Sequence, residues 1–332
     1  MITECDTEFL SGKSMDFKHI SVMAEETLEA LKVRPDGIYV DGTLGGGGHA
    51  YSVCQRLTTG RLIGIDRDED ALKAAGMHLK QFGDKAVLVH GNFCNMVHFI
   101  DNMGIGLVNG ILLDLGVSSY QIDEPGRGFS YMQDESPLDM RMDRRQSLTA
   151  AGILNTYPES ELVRIFKDYG EERFAPGIAK RVVTARESRE IATAGELNSL
   201  IREAIPGKYL KTLKGHPSKR VFQALRIETN SELEELKNSI DGMIDRLDNG
   251  GRLCIITFHS LEDRIVKSIF RKNESPCTCP PSFPVCVCGK VSKGKVITKR
   301  PVIPTKEELE RNSRSASAKL RVFERVIDLI DP

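Results

Sequence analysis

Four short apolar runs, set at intervals that each hold a helix, constrain the fold of this chain more than any other feature. They are Ile38-Tyr39-Val40, Leu62-Ile63-Gly64-Ile65, Ala86-Val87-Leu88-Val89 and Gly110-Ile111-Leu112-Leu113, with amphipathic stretches between them. A short run that is apolar throughout is a strand covered on both faces, and the helical periodicity between runs supplies the cover. This βαβ order predicts an α/β fold: a parallel sheet with right-handed crossovers, helices on both faces and ligands beyond the carboxyl ends of the strands.

The alternation stops at about Glu135. Helical periodicity without a strand run continues to Pro217, for example over Glu159 to Tyr169 and Ala194 to Ala204, so an inserted all-helical subdomain is expected. A helix over Ser231 to Leu247, a strand over Leu253 to Phe258, a helix from Ser260 and an alternating run from Leu320 to Val326 then resume the sheet. The 332 residues suffice for such a core. Residues 19–134 and 217–332 are expected to form one discontinuous domain around the insertion at 135–216, with 1–18 a flexible extension.

Lys+Arg number 46 and Asp+Glu 47, so no global field attracts polyanions and no acidic excess suggests disorder. Local charge is another matter. Residues 144 to 220 hold 15 Lys+Arg against nine acids, and Lys208 to Arg220 has five bases and no acid. A basic loop beside a strand-end cleft tracks phosphates through counterion release; a solvated surface is the competing explanation. No apolar run approaches the roughly 18 residues of a membrane span, and the acidic first 17 residues lack the order of a leader peptide. Eight cysteines, four of them in one short stretch, are no disulfide scaffold. A cytoplasmic protein without membrane contact is expected.

Asp41-Gly42-Thr43-Leu44-Gly45-Gly46-Gly47-Gly48-His49 joins the first strand to a helix, where missing Cβ atoms let the backbone approach a ligand. A tight turn alone needs the same glycines. The second strand ends in Gly64-Ile65-Asp66, and a carboxylate there can accept from both hydroxyls of a ribose. Nucleoside-cofactor binding is therefore favoured, and two cofactors compete for it. For NAD, Gly45 and Gly47 fit Gly-x-Gly-x-x-Gly and Ala50 is allowed in the sixth place, so the glycines do not decide. The other strand ends favour S-adenosylmethionine: Gly91-Asn92-Phe93 brings an aromatic and Asp114 a further carboxylate, a rim suited to a sulfonium cation.

Seven motifs in order carry a family resemblance: Asp41 to His49, Gly64 to Asp68, Leu113 to Ser119, Arg127-Gly128-Phe129-Ser130, Pro137 to Asp143, Tyr169-Gly170-Glu171-Glu172 and Phe258 to Arg264. From His19 to Val326 the chain resembles the bacterial 16S rRNA cytosine N4-methyltransferases, the small-subunit methyltransferase H family. The resemblance implies a class I (Rossmann-like) methyltransferase sheet with a helical, RNA-recognising insertion and S-adenosyl-L-methionine as cofactor. It implies as substrate one decoding-site cytosine of 16S rRNA within the small ribosomal subunit. Carried over by motif position, Gly47, Gly48 and His49 contact the methionine part, Asp66 the ribose and Phe93 the adenine, while Asp114 and Gln121 complete the pocket. The structural alternatives are a core aromatic for Phe93, a turn amide for Gln121 and a first-turn helix residue for His49.

Cytosine's exocyclic nitrogen donates its lone pair into the ring and is a poor nucleophile, whereas a sulfonium methyl is an activated electrophile. Positioning is most of the work, drawing on the roughly 7–11 kcal/mol that proximity and orientation supply. An acceptor at the amine localises its lone pair and takes the proton; Asp114 is the catalytic candidate, with cofactor stabilisation as its alternative role. Many DNA amino-methyltransferases place Pro-Pro-aromatic after the acid or amide at this strand end. Here the run is Asp114-Leu115-Gly116-Val117, so a stacking ring must come from Tyr120, Phe129, Phe258 or His259, with Tyr120 standing where the family usually has proline. Ser260 with Asp263 forms an N-cap in a purely structural account of the last motif.

The loop Asp123 to Asp143 is suited to closing over a flipped base, or is simply a connection to the insertion. Its Asp139 and Arg141, with His259, are RNA-binding candidates. His216 to Asn230 reads helical after Pro217, and Lys219, Gln223, Arg226 and Asn230 fall on one polar stripe expected to face the RNA, with Arg220 beside it. Cys277-x-Cys279 and Cys286-x-Cys288 offer the four thiols of a structural zinc site at tighter spacing than usual, or stay reduced in a loop. Thr305-x-x-Glu308 reads as a capping box, and Arg311 to Arg321 as Ser/Arg-rich. Two rivals remain: an NAD-type oxidoreductase, and an RNA-binding module with a degenerate cofactor pocket.

Overall fold

A computed structural model describes residues 21–280, 283 and 287–327 of the chain. The extension expected at 1–18 lies outside the described residues. Each apolar run predicted as a strand forms one: β1 (Ile38–Asp41), β2 (Arg61–Asp66), β3 (Ala86–His90) and β4 (Val108–Asp114) precede the insertion. After it come β5 (Leu247–Thr257), β6 (Gly294–Val296) and β7 (Lys319–Arg325). They make one seven-stranded sheet in the order β3-β2-β1-β4-β5-β7-β6. Strands β1 to β5 run parallel, β7 lies antiparallel to β5, and β6 antiparallel to β7. The strand order reverses between β1 and β4, and the loops that part there open a crevice at the carboxyl ends.

Successive residues of a strand face opposite layers, which is why these strands had to be apolar throughout. In β4, Ile111 and Leu113 join a cluster completed by Leu236, Ile240, Val266 and Phe270 from the helices Glu232–Asp245 and Ser260–Glu274. Leu112 between them faces the other layer, built with Leu28, Leu31, Val53, Ala75 and Leu79 from the helices Ala24–Leu31, Gly48–Cys54 and Glu69–Leu79.

Between Glu135 and Pro217 the described residues hold an isolated bridge, Pro137 to Thr193, and no strand. Leu154, Phe166, Ile178 and Leu197, from four helices between Ala150 and Ala204, make a third apolar cluster. It also takes in Phe129 on one side of 135–216 and Val221, Phe222, Ala224 and Leu225 on the other. The helical unit therefore draws its core from beyond 135–216 at both ends. Among the described residues no helix is long and apolar enough to cross a membrane.

Candidate active site

A cavity of about 850 Å³ lies at the carboxyl ends of the central strands and reaches to the insertion. Its sheet side is walled by Gly45, Gly46, Gly48, His49, Asp66, Phe93 and Asp114; Lys219, Phe222, Gln223, Arg226 and His259 line the opposite side. The segment Asn312 to Ser317 closes part of the rim, where Arg314 pairs with Asp123 at 2.6 Å.

The glycine turn is built by its backbone. Gly45 donates its N–H to Asp66 Oδ2 at 2.7 Å, and Asp68 N–H donates to Oδ1 at 2.8 Å, which fixes the carboxylate in the crevice. Burial pushes the Asp66 carboxyl up against the pull of these two donors. Gly47, expected to touch the cofactor, is not on the cavity wall, and at φ 81° its added Cβ would sit 3.3 Å from Ala75. Its left-handed conformation serves helix packing, while Gly48 keeps the wall position. Phe93 is both wall and core, opening a short turn whose Cys94 N–H is capped by Asn92 at 3.1 Å.

His49 and Asp114 meet at 3.5 Å, with Asp41, which ends β1, buried behind them. Both His49 ring nitrogens and Asp114 Oδ1 are buried without a hydrogen-bond partner. Burial pushes the His49 imidazole down, and the carboxylates of Asp114 and Asp41 outweigh it, leaving the pKa above its ordinary value. Burial pushes Asp41 up to about 7 despite His49 and the Thr43 N–H. Asp41 closes an apolar run and does not line the cavity; its influence on the site is electrostatic, through His49.

Gln121 sits in the wall but is engaged: its Oε1 accepts from Ser118 N–H at 3.0 Å and its Nε2 donates to Asp68 Oδ2 at 2.7 Å. Asp68 Oδ2 also receives Arg127 at 2.7 Å, and Arg127, 1% exposed, donates onward to the carbonyls of Arg141 and Met142. Asn230, expected on the RNA-facing stripe, is instead buried, donating to Met140 O at 2.7 Å and accepting from Met142 N–H at 2.8 Å. The loop Asp123 to Asp143 is thus pinned from both sides and is no free lid.

Lys219, Gln223 and Arg226 do face the cavity; exposed Arg220 is off the wall, donating to Glu171 O at 3.0 Å. Arg226 makes a bidentate pair with Glu232, 2.8 Å at each contact. Reversing its charge would leave buried carboxylates facing one another, so it cannot report on RNA contact alone. Asp139 and Arg141 pair with each other at 2.7 Å, away from the cavity wall. His259, with its Nε2 3.1 Å from Glu262, is the N-cap of the helix Ser260–Glu274, and Glu262 accepts the N–H of Phe258 and of His259. The cap is therefore not Ser260 with Asp263, which pairs with Arg321. Of the stacking candidates, Phe129, Phe258 and His259 line the cavity together with Tyr131 and Phe222; Tyr120 does not. Thr305 caps Glu308 N–H at 3.2 Å, but the Glu308 carboxylate goes to Met23 N–H, so the box is half formed.

A family profile described as the MraW methylase family matches residues 16–326. A protein named ribosomal RNA small subunit methyltransferase H 2 from Agathobacter rectalis is 61% identical over 312 residues, covering 94% of this chain and 99% of that one. Ribosomal RNA small subunit methyltransferase H of Clostridium botulinum is 54% identical over 313 residues, 94% of this chain and all of that one. A solved rRNA methylase from Streptococcus thermophilus overlays at a TM-score of 0.40 with 12% identity, over 92% of this chain and 94% of that one. With a profile spanning nearly its whole length and relatives of this identity, the chain belongs to the MraW methylase family.

Proposed function

We propose that this protein moves a methyl group from S-adenosylmethionine to N4 of a decoding-site cytosine in 16S ribosomal RNA, working on the small subunit in the cytoplasm. The observation that carries this reading is a cavity with carboxylates at its strand-end side and basic and aromatic side chains at the other. The names of the relatives supply the RNA class.

The residues present suit the cofactor. Asp114 Oδ1 and His49 Nδ1 are buried polar atoms that want a partner, and a carboxylate rim favours a cation. Asp66 would take the ribose hydroxyls on its remaining lone pairs, and Phe93 would flank the adenine. When bound, S-adenosylmethionine supplies an electrophilic methyl beside its sulfonium. Asp114 accepts a hydrogen bond from the cytosine amine, localising the nitrogen lone pair, and takes the proton as positive charge develops. His49, 3.5 Å away, steadies that carboxylate. Phe129, Phe258 or His259 offers the face against which the base stacks, worth about 1–3 kcal/mol.

Calorimetric titration with S-adenosylhomocysteine should give saturable binding and NAD none. Asp66→Ala should weaken the first at least about tenfold, a loss of about 1.4 kcal/mol. Asp114→Asn should bind and fold normally yet transfer no methyl group to small subunits. Ribosomal RNA from cells lacking the protein should lose one N4-methylated cytosine. Binding of NAD alone, or an unchanged nucleoside map, refutes the assignment.

A further inference from the structure

The segment between the helix Ser260–Glu274 and β6 takes no part in the cavity, yet it gathers chemistry. The Sγ atoms of Cys277, Cys279 and Cys288 lie within 4.8 Å of one another, and those of Cys277 and Cys288 are 3.9 Å apart. Tetrahedral zinc with Zn–S bonds of about 2.3 Å holds its thiolates about 3.8 Å apart. A disulfide needs about 2.05 Å, so this spacing is that of a ligand set and not of a bridge. The backbone supports it as well: Val287 N–H donates to Cys279 Sγ at 3.3 Å, the kind of bond that steadies a metal-bound sulfur.

Hydrophobic burial does little to hold these thiols together. Phe283 is 50% exposed, Val287 72% and Val291 65%. The segment is tied at its base, where Lys293 N–H meets Asn273 O at 2.9 Å and Val296 N–H meets Glu274 Oε1 at 2.8 Å, but beyond that base it has no core of its own among the described residues. Exposed segments of this kind are stapled by metal when soft ligands converge.

We propose that Cys277, Cys279 and Cys288 bind a zinc ion that closes this segment on itself beyond its tied base. Each thiol gives its proton to solvent as its Zn–S bond forms. The fourth corner of the tetrahedron is taken by a donor beyond these three; Cys286, expected in that role from the sequence, lies outside the described residues. Three soft sulfurs within 4.8 Å of one another suit zinc and exclude magnesium or calcium. None of the three lines the cavity, so the ion is structural and the proposal is independent of the methyl-transfer reading.

The full chain, purified under reducing conditions and reconstituted with zinc sulfate, should keep one zinc per chain through desalting, read by elemental analysis. Cys277→Ser and Cys288→Ser should each lose it with S-adenosylhomocysteine affinity unchanged, while Cys94→Ser keeps the zinc. Cobalt in place of zinc should give sulfur-to-metal charge-transfer absorption and intense tetrahedral visible bands, both absent from the two serine variants. Should those variants precipitate, stripping the unaltered chain with a zinc chelator should expose Lys290 and Lys293 to trypsin. Metal-free protein after reconstitution, zinc held equally by Cys277→Ser, a Cys277–Cys288 disulfide found by mass spectrometry, or cleavage unchanged by the chelator overturns the site.

Discussion

Asp41 is 2% exposed, and burial lifts its carboxyl from 3.8 to about 7. An acid that binds its proton more tightly when folded makes the folded state lose stability as pH rises between those two values, and the loss is complete above the higher one. His49 works in the same sense: its pKa is raised on folding, so its contribution is whole below the ordinary 6.5 and fades above. Thermal stability should therefore decline from acid to neutral pH through this cluster. Asp41→Asn keeps an acceptor for the Thr43 N–H and should flatten the part of the decline between about pH 4 and pH 7, measured as Tm against pH. An identical profile in the variant would mean that Asp41 titrates as an ordinary acid. Asp66, Phe93 and Asp114 were legible in the sequence because each stands at or just past the end of an apolar run, where a parallel sheet presents its ligands. The place of Gly47 off the cavity wall was less legible, because a glycine's identity does not tell which of two surfaces its missing side chain makes room for.

At the scale of elements, the loop Asp123 to Asp143 is held by charge buried out of water. Arg127 reaches Asp68 at 2.7 Å and Asp70 at 3.5 Å, so it ties the start of the helix Glu69–Leu79 to the entrance of the insertion. Removing one partner of such a pair strands the other. Arg127→Met should lower unfolding free energy by about 3–5 kcal/mol in urea denaturation, far beyond an exposed ion pair; a cost near zero would mean the pair is solvated. Neither this tie nor the burial of Asn230 could be read in advance. Helical spacing puts Lys219, Gln223, Arg226 and Asn230 on one stripe, but it does not say what each meets: solvent for Lys219, Glu232 at the start of the next helix for Arg226, and the distant Met140–Met142 backbone for Asn230.

Over the whole molecule, charge and architecture divide together. The segment 144 to 220 carries the excess of bases, and Lys219 stands exposed where it adjoins the cavity. Affinity for a small-subunit RNA fragment should fall linearly with salt on logarithmic axes, and Lys219→Glu should reduce that slope by about 0.7 to 0.9 if Lys219 neutralises one phosphate. S-adenosylhomocysteine binding should keep its salt dependence in the variant; an unaltered RNA slope removes Lys219 from the interface. The seven-stranded sheet was largely predictable because strands buried on both faces must be apolar. Three-residue β6, with Lys295 exposed at its centre, offers no such run. The limits of the insertion were less visible, since its core recruits Phe129 and Phe222, which lie beyond 135–216 and also wall the cavity.

The sheet order has a consequence for synthesis. β7 is translated after every other strand, yet it fits between β5 and β6 and not at a margin. Until it emerges, β5 shows a bare row of amide and carbonyl groups with apolar side chains on either side, an invitation to pair with any passing strand. A message interrupted upstream of Lys319 thus yields an open five-stranded sheet whose bare β5 edge favours aggregation.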